Sequence, residues 1–152
     1  MQAAWADYHR VVESLSEGVV IHDGDGRPMD CNGAAERLLG LARDQILERA
    51  PRPDGWRMLG QGGAELPPAD QPANLARALA QAQRDVTVCV CRPDGEPTWL
   101  AVNAIPIGAD AATPSMVVVS YADITAHKLA QAALQESEMR FRQLAENIDI
   151  VF

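Results

Sequence analysis

The chain is poor in several features that mark specialised classes of protein. It holds 3 cysteines in 152 residues. Cys31, Cys89 and Cys91 are odd in number and lack the spacing of a zinc site. On a strand, Cys89 and Cys91 point the same way. They read as reduced thiols of a cytosolic protein, not as a disulfide framework. Long apolar runs are missing, and none approaches the roughly 20 residues of a membrane span. The opening MQAAWAD lacks the basic and apolar regions of a secretory leader. A cytoplasmic location is therefore expected. Basic charge is scarce as well: 13 Lys and Arg face 21 Asp and Glu, for a net charge of −8. With no basic patch to reverse it, that balance argues against nucleic acid or an anionic membrane as partner.

Catalytic signatures are also absent. Gly24 and Gly26 sit in a hairpin turn and do not open a helix, so they form no phosphate-cradling loop. No serine stands in a nucleophile elbow. His9, His22 and His127 fall in three different elements, which makes no metal pair. Catalysis by this fragment is not expected.

What is present is an ordinary globular composition, 47% hydrophobic and 22% charged, long enough for one domain and an appendage. Trp5, Tyr8, Val12 and Leu15 recur at spacings of three and four, one face of an amphipathic N-terminal helix. That face suits either the domain's own sheet or the same helix of a second copy. Glu17–Asp23 reads as a strand, Gly24-Asp25-Gly26 as a hairpin turn, and Arg27–Cys31 as the returning strand. Asn32 is a strong helix N-cap, and Gly40 closes the stripe of Ala34, Ala35, Leu38 and Leu39. A second short helix is expected over Arg43–Glu48. Residues 50–72, with prolines at 51, 53, 67, 68 and 72, read as loop with a possible helical turn at Trp56–Leu59. Asp70–Gln83 reads as a helix with Leu75, Ala78 and Leu79 inward. Strands follow over Asp85–Arg92, Pro97–Ile107 and Pro114–Asp123, the first two joined by a Pro93-Asp94-Gly95 turn.

The element order predicts an α+β domain with one five-stranded antiparallel sheet and helices on one face. Its last strand, rich in Val117, Val118 and Val119, hands over at Asp123-Ile124-Thr125 to a helix with almost no loop between them. Asp and Thr are residues that satisfy free N–H groups where helices begin. His127, Leu134, Phe141 and Ile148 then recur every seven residues, with Ala130 and Leu144 at the other seam position, a short coiled-coil pattern interrupted by Ser137.

In order, Asp23 with its Gly24-Asp25-Gly26 turn, Asn32-Gly33-Ala34-Ala35-Glu36, Leu38-Leu39-Gly40, Asp94-Gly95, Trp99, Pro106 and Asp123-Ile124-Thr125 resemble the motifs of a PAS sensory domain. The resemblance covers roughly residues 6–128. Gly33 departs from it, since many relatives carry proline there. The tail SEMRFRQLAENIDIVF is similar to the start of another PAS domain. The resemblance thus implies a bacterial multidomain signalling protein divided here into an N-terminal helix (1–16), a PAS core (17–125), a linker helix (126–147) and the start of a following module (148–152). Its output would lie downstream in the parent chain, for example a histidine kinase or a diguanylate cyclase.

By the same resemblance, the site is a cavity between the concave face of the sheet and the helices. Matching to flavin-binding members puts Val20, His22, Val88, Val90, Leu100, Val102, Val119 and Tyr121 on the inner face, with Trp56 and Arg57 near the mouth. Asp123 and Thr125 form the signal junction. His22 and Tyr121 are the polar members of that face; they either orient a ligand or bond to neighbouring backbone. Val19, Ile21, Cys89, Cys91 and Trp99 fall on the outer face, too apolar to meet water bare. No cysteine lies between Cys31 and Cys89, so the family's flavin-thiol chemistry is not expected. No histidine lies in 70–83, so haem is not expected either. The ligand, if any, stays unknown. The function implied is a sensory module that binds a small ligand or partner and relays the state of its sheet through Asp123-Ile124-Thr125. The alternative is a ligand-free dimerising relay. In either, the N- and C-terminal helices are expected to pair in a homodimer.

Overall fold

The computed structural model describes residues 16–93, 95–108 and 114–147. The expected N-terminal helix with Trp5, Tyr8, Val12 and Leu15, Asp94 of the turn, and the segment 148–152 lie outside the described residues.

Apolar and β-branched residues build most of the sheet, with burial alternating along its two long strands Thr98–Ile107 and Met116–Asp123. Its strands are β1 (Gly18–Asp23), β2 (Pro28–Cys31), β3 (Arg57–Gly60), β4 (Gln83–Cys91), β5 (Thr98–Ile107) and β6 (Met116–Asp123). They form one antiparallel sheet in the order β2-β1-β6-β5-β4-β3. The sheet therefore has six strands, where five were expected. The extra one is β3, in the region read as loop with a turn of helix at Trp56–Leu59. Met58 is buried and Arg57 exposed, and the strand pairs with β4 from Val88 to Cys91. Four residues bounded by glycine and proline are too short to show a period, so tertiary pairing decides the conformation.

The helices are α1 (Gly33–Leu39), α2 (Arg43–Ile46), α3 (Pro72–Leu79) and α4 (Thr125–Asn147), with a 3-10 turn at Pro68–Asp70. Asn32 fixes the first of them to the sheet. Its Oδ1 accepts hydrogen bonds from the N–H of Ala35 (3.0 Å) and of Val19 (2.9 Å), and its Nδ2 donates to the Glu17 carbonyl (3.0 Å). The side chain is buried, and its bonds offset the cost of burying an amide. Gly18 allows the approach, since a Cβ there would lie 2.9 Å from the Ala35 Cα. The expected helix over 70–83 is shorter: it ends at Leu79 because Ala80 turns left-handed (φ 50°). The next strand starts at Gln83 instead of Asp85, with a bulge before Val86 and Asp85 itself at φ 52°.

Helices α1 to α3 cover one face of the sheet. Ala35, Leu39, Ile46 and Ala76 pack there against Val20, Val88, Val90, Leu100, Val102, Ala104, Val117 and Val119. Val19, Ile21 and Cys89, which alternate to the other face, are also buried. Cys91, Trp99, Ala101, Asn103 and Val118 beside them are half-buried. The final helix α4 buries none of its residues.

Candidate functional site

Between the inner face and the helices lies a cavity of about 80 Å³. The sheet supplies Val20 and His22 from β1, Met58 from β3, Val102 from β5, and Val119 and Tyr121 from β6. The helices and the loops beside them supply Leu39, Leu41, Ile46, Glu48, Arg52, Trp56, Gln71, Pro72, Ala73 and Asn74. Six of the ten pocket residues expected from the sequence meet here: Val20, His22, Trp56, Val102, Val119 and Tyr121. Val88, Val90 and Leu100 are fully buried on the same face but pack into the core without reaching the cavity. Arg57 is the member placed wrongly. As the first residue of β3 it points to solvent, and the next residue, Met58, turns inward instead.

The basic residue at the cavity is Arg52, between two prolines. Its guanidinium lies over the indole of Trp56, 4.5 Å from the ring centroid, a cation–π contact that orients a long side chain. Trp56 is itself fixed, because its Nε1 donates to the Leu39 carbonyl at 2.8 Å. Loop, indole and the end of α1 thus form one wall. Glu48, with a left-handed backbone (φ 60°), contributes the acidic group.

Tyr121 is 8% exposed. No described residue shares a hydrogen bond with its hydroxyl, and burial pushes its pKa up to about 12, with Arg52 acting in the opposite direction. The phenol is therefore a neutral donor at every physiological pH. His22 follows the bulge in β1, and its Nδ1 lies 3.4 Å from the Gly26 carbonyl. Burial lowers its pKa, only partly offset by that bond and by Glu48 and Asp23. The lowered pKa favours the neutral ring. Among the described residues no group of three His, Cys, Asp or Glu side chains could hold a metal ion. None of Cys31, Cys89 and Cys91 lines the cavity.

The junction lies at the end of the same strand. Asp123 Oδ1 accepts the Thr125 N–H at 2.9 Å. The Thr125 hydroxyl, for its part, accepts the N–H of Trp99 on β5 at 3.0 Å, and the Ile124 N–H donates to the Trp99 carbonyl at 2.8 Å. Lys128, one turn into α4, lies 5.4 Å from the Trp99 ring centroid. The base of α4 is held to β5 as well as to β6.

Among the lining residues not expected from the sequence are Glu48, Arg52, Met58, Gln71 and Asn74. The place of Arg52 between Pro51 and Pro53 is the one local feature that could have drawn attention to it.

The chain has solved structures of the same shape. A domain of a sensory box sensor histidine kinase/response regulator from Geobacter sulfurreducens has TM-score 0.55 and 20% identity, covering 79% of this chain and 94% of that one. The PAS domain of the fruit-fly ELK potassium channel has TM-score 0.56 and 15% identity, over 80% of this chain and 97% of that one. An RNA-binding Light-Oxygen-Voltage receptor has TM-score 0.59 and 22% identity, over 91% of this chain and 39% of that one. At such identities the likeness carries the fold alone. No curated protein matches the chain in sequence. The sequence pattern of the PAS domain matches residues 16–126, most of the chain, and the chain belongs to the PAS domain family.

Proposed function

We propose that this PAS domain is a sensory module whose cavity binds a small ligand and whose last strand passes the state of the cavity to α4. The observation that carries the reading is the position of Tyr121. An unpartnered hydroxyl faces the cavity two residues before Asp123, on the strand that becomes the helix. A hydrogen bond from that hydroxyl to a ligand atom contributes about 0.5–1.5 kcal/mol net. An energy of that order reaches the lower end of typical allosteric couplings, about 1–3 kcal/mol. The cavity of about 80 Å³ is well below the roughly 300–1,000 Å³ of pockets for drug-sized ligands, so a tricyclic flavin does not fit without displacing Trp56 or the helices. The ligand is smaller than that.

A second reading is favoured by α4. Leu134, Phe141 and Leu144 are 61%, 73% and 61% exposed along one stripe, which suits a parallel helix from a second copy. In that reading the domain dimerises and relays a neighbour's signal with a water-filled cavity. Among the described residues no helix is long and apolar enough to cross a membrane, and both readings place the module in the cytoplasm ahead of an output domain of the same parent chain. A native mass spectrum separates them. A bound small molecule supports the sensor, and a ligand-free dimer supports the relay. In the full-length parent, Asp123→Ala is expected to reduce output more than folding. Output that falls only in step with folding would make the junction structural.

A further inference from the structure

The polar groups around the cavity are not evenly distributed, and their arrangement selects a class of ligand. Arg52 and Tyr121 act on each other electrostatically. Both present donors, and among the described residues neither shares a hydrogen bond; Arg52, which is exposed, lies over the Trp56 ring. Glu48 acts on the other polar group, His22. A further cation, Arg77, lies beside His22, with its Nε buried against Gly26 and no hydrogen-bond partner among the described residues. In a chain of net charge −8, Arg52 and Tyr121 thus give the cavity two donors that no described residue engages in a hydrogen bond. The rest of the lining is mixed: Val20, Ile46, Met58 and Val119 are among its apolar members, and Gln71 and Asn74 add neutral amides.

We propose that the cavity binds a small monocarboxylate, its head between Arg52 and Tyr121 and its short alkyl tail on Val20, Ile46, Met58 and Val119. The proposal rests on the ligand-sensing reading and names its ligand class. An anionic head satisfies the phenol and the guanidinium together, and a guanidinium presents paired N–H groups that match a carboxylate. Arg52 brings that charge in from an exposed position, so the ion keeps part of its hydration. Size follows from volume: at roughly 10–15 Å³ for each water-sized atom, about 80 Å³ holds a head group and two to four carbons. Glu48 sets the other limit. A second carboxylate on the ligand would approach the like charge of Glu48, so dicarboxylates should bind more weakly.

The test uses the purified 152-residue chain and isothermal titration with butyrate, butyramide and succinate at constant ionic strength, with sodium chloride as the control anion. Butyrate is expected to bind at least 10-fold more tightly than the other three. Arg52→Gln and Tyr121→Phe should each weaken butyrate at least 10-fold with the melting temperature little changed. Arg52 is exposed, and Tyr121→Phe keeps the ring. Glu48→Gln should raise the affinity for succinate. Equal binding of butyrate and butyramide, equal stabilisation by chloride, or butyrate affinity insensitive to Arg52→Gln and Tyr121→Phe would overturn the carboxylate. So would a copurified ligand without an acid group, and each of the findings in which a ligand occupies the cavity leaves the sensory reading standing. No binding by any probe, together with a crystal structure holding only water in the cavity, would overturn both.

Discussion

Replacing Thr125 by valine removes one oxygen and almost no volume, and it tests how α4 is attached to the sheet. The hydroxyl accepts the Trp99 N–H at 3.0 Å and lies 3.5 Å from the Trp99 carbonyl. Valine leaves that N–H facing a methyl group in a half-buried position. An unmade hydrogen bond to a buried donor costs about 1–3 kcal/mol; partial solvent access puts this one near the lower end, about 1–1.5 kcal/mol. Asp123→Ala, by contrast, removes a carboxylate that is exposed, and water replaces part of its bond to the Thr125 N–H. Losing a helix-end acceptor costs about 0.5–2 kcal/mol, and solvent at Asp123 puts this one at the lower end, about 0.5–1 kcal/mol, so Thr125→Val should be at least as damaging. Urea denaturation followed by circular dichroism gives both values, and hydrogen exchange reports the Trp99 amide directly. Protection of that amide should fall roughly tenfold in Thr125→Val, in line with about 1.4 kcal/mol per factor of ten. A variant within about 0.3 kcal/mol of the parent, with unchanged Trp99 protection, would show that the ladder to β6 holds the helix base without the hydroxyl.

Asn32→Ala leaves the buried N–H groups of Val19 and Ala35 unpaired and should cost at least about 2 kcal/mol in urea denaturation at about 1–3 kcal/mol for each. A smaller loss would mean that water enters beside α1. His22 has its pKa lowered by burial, so the unfolded chain binds a proton at a higher pH than the folded one. Stability should therefore fall as pH drops below about 6.5. His22→Gln should flatten the pH dependence of melting in that window, and an unchanged slope would assign it to the carboxylates. Burial and Cys91 push the Cys89 thiol up to about 11 from 9.0, so its thiolate fraction near pH 8 falls on the order of 100-fold. Alkylation followed by mass spectrometry should find Cys89 unmodified until the protein is unfolded.

The parts legible in the sequence are those where local chemistry and tertiary structure agree. Asn32 reads as a cap because a short amide at a helix start has few other uses, and it caps α1 while also bonding β1. Gly40 closes α1 at φ 67°, as a left-handed terminus requires. Along β1, β5 and β6, strict alternation places Val20, His22, Val102, Val119 and Tyr121 on one face before any contact is known. Legibility ends where long-range pairing decides. β3 is too short to carry a period, and its register, which turns Met58 inward and Arg57 outward, comes from β4. Arg52 reaches the cavity through a Pro-Arg-Pro loop and an indole neighbour, a route that spacing does not encode. Ala80 and Asp85, both left-handed without being glycine, shift the end of α3 and the start of β4 against their propensities.

The place of β6 in the strand order has one more consequence. This strand is bonded on both sides, to β1 from Gly18 to Asp23 and to β5 from Leu100 to Ile107. Peeling it away would open two ladders at once, so β6 cannot leave the sheet by the melting of one edge. The edge strands β2 and β3 have a partner on one side only and are the ones that can fray at low cost. A movement of β6 that keeps both ladders is a change in the twist or slide of the sheet as a whole, which probes that register only unfolding do not see.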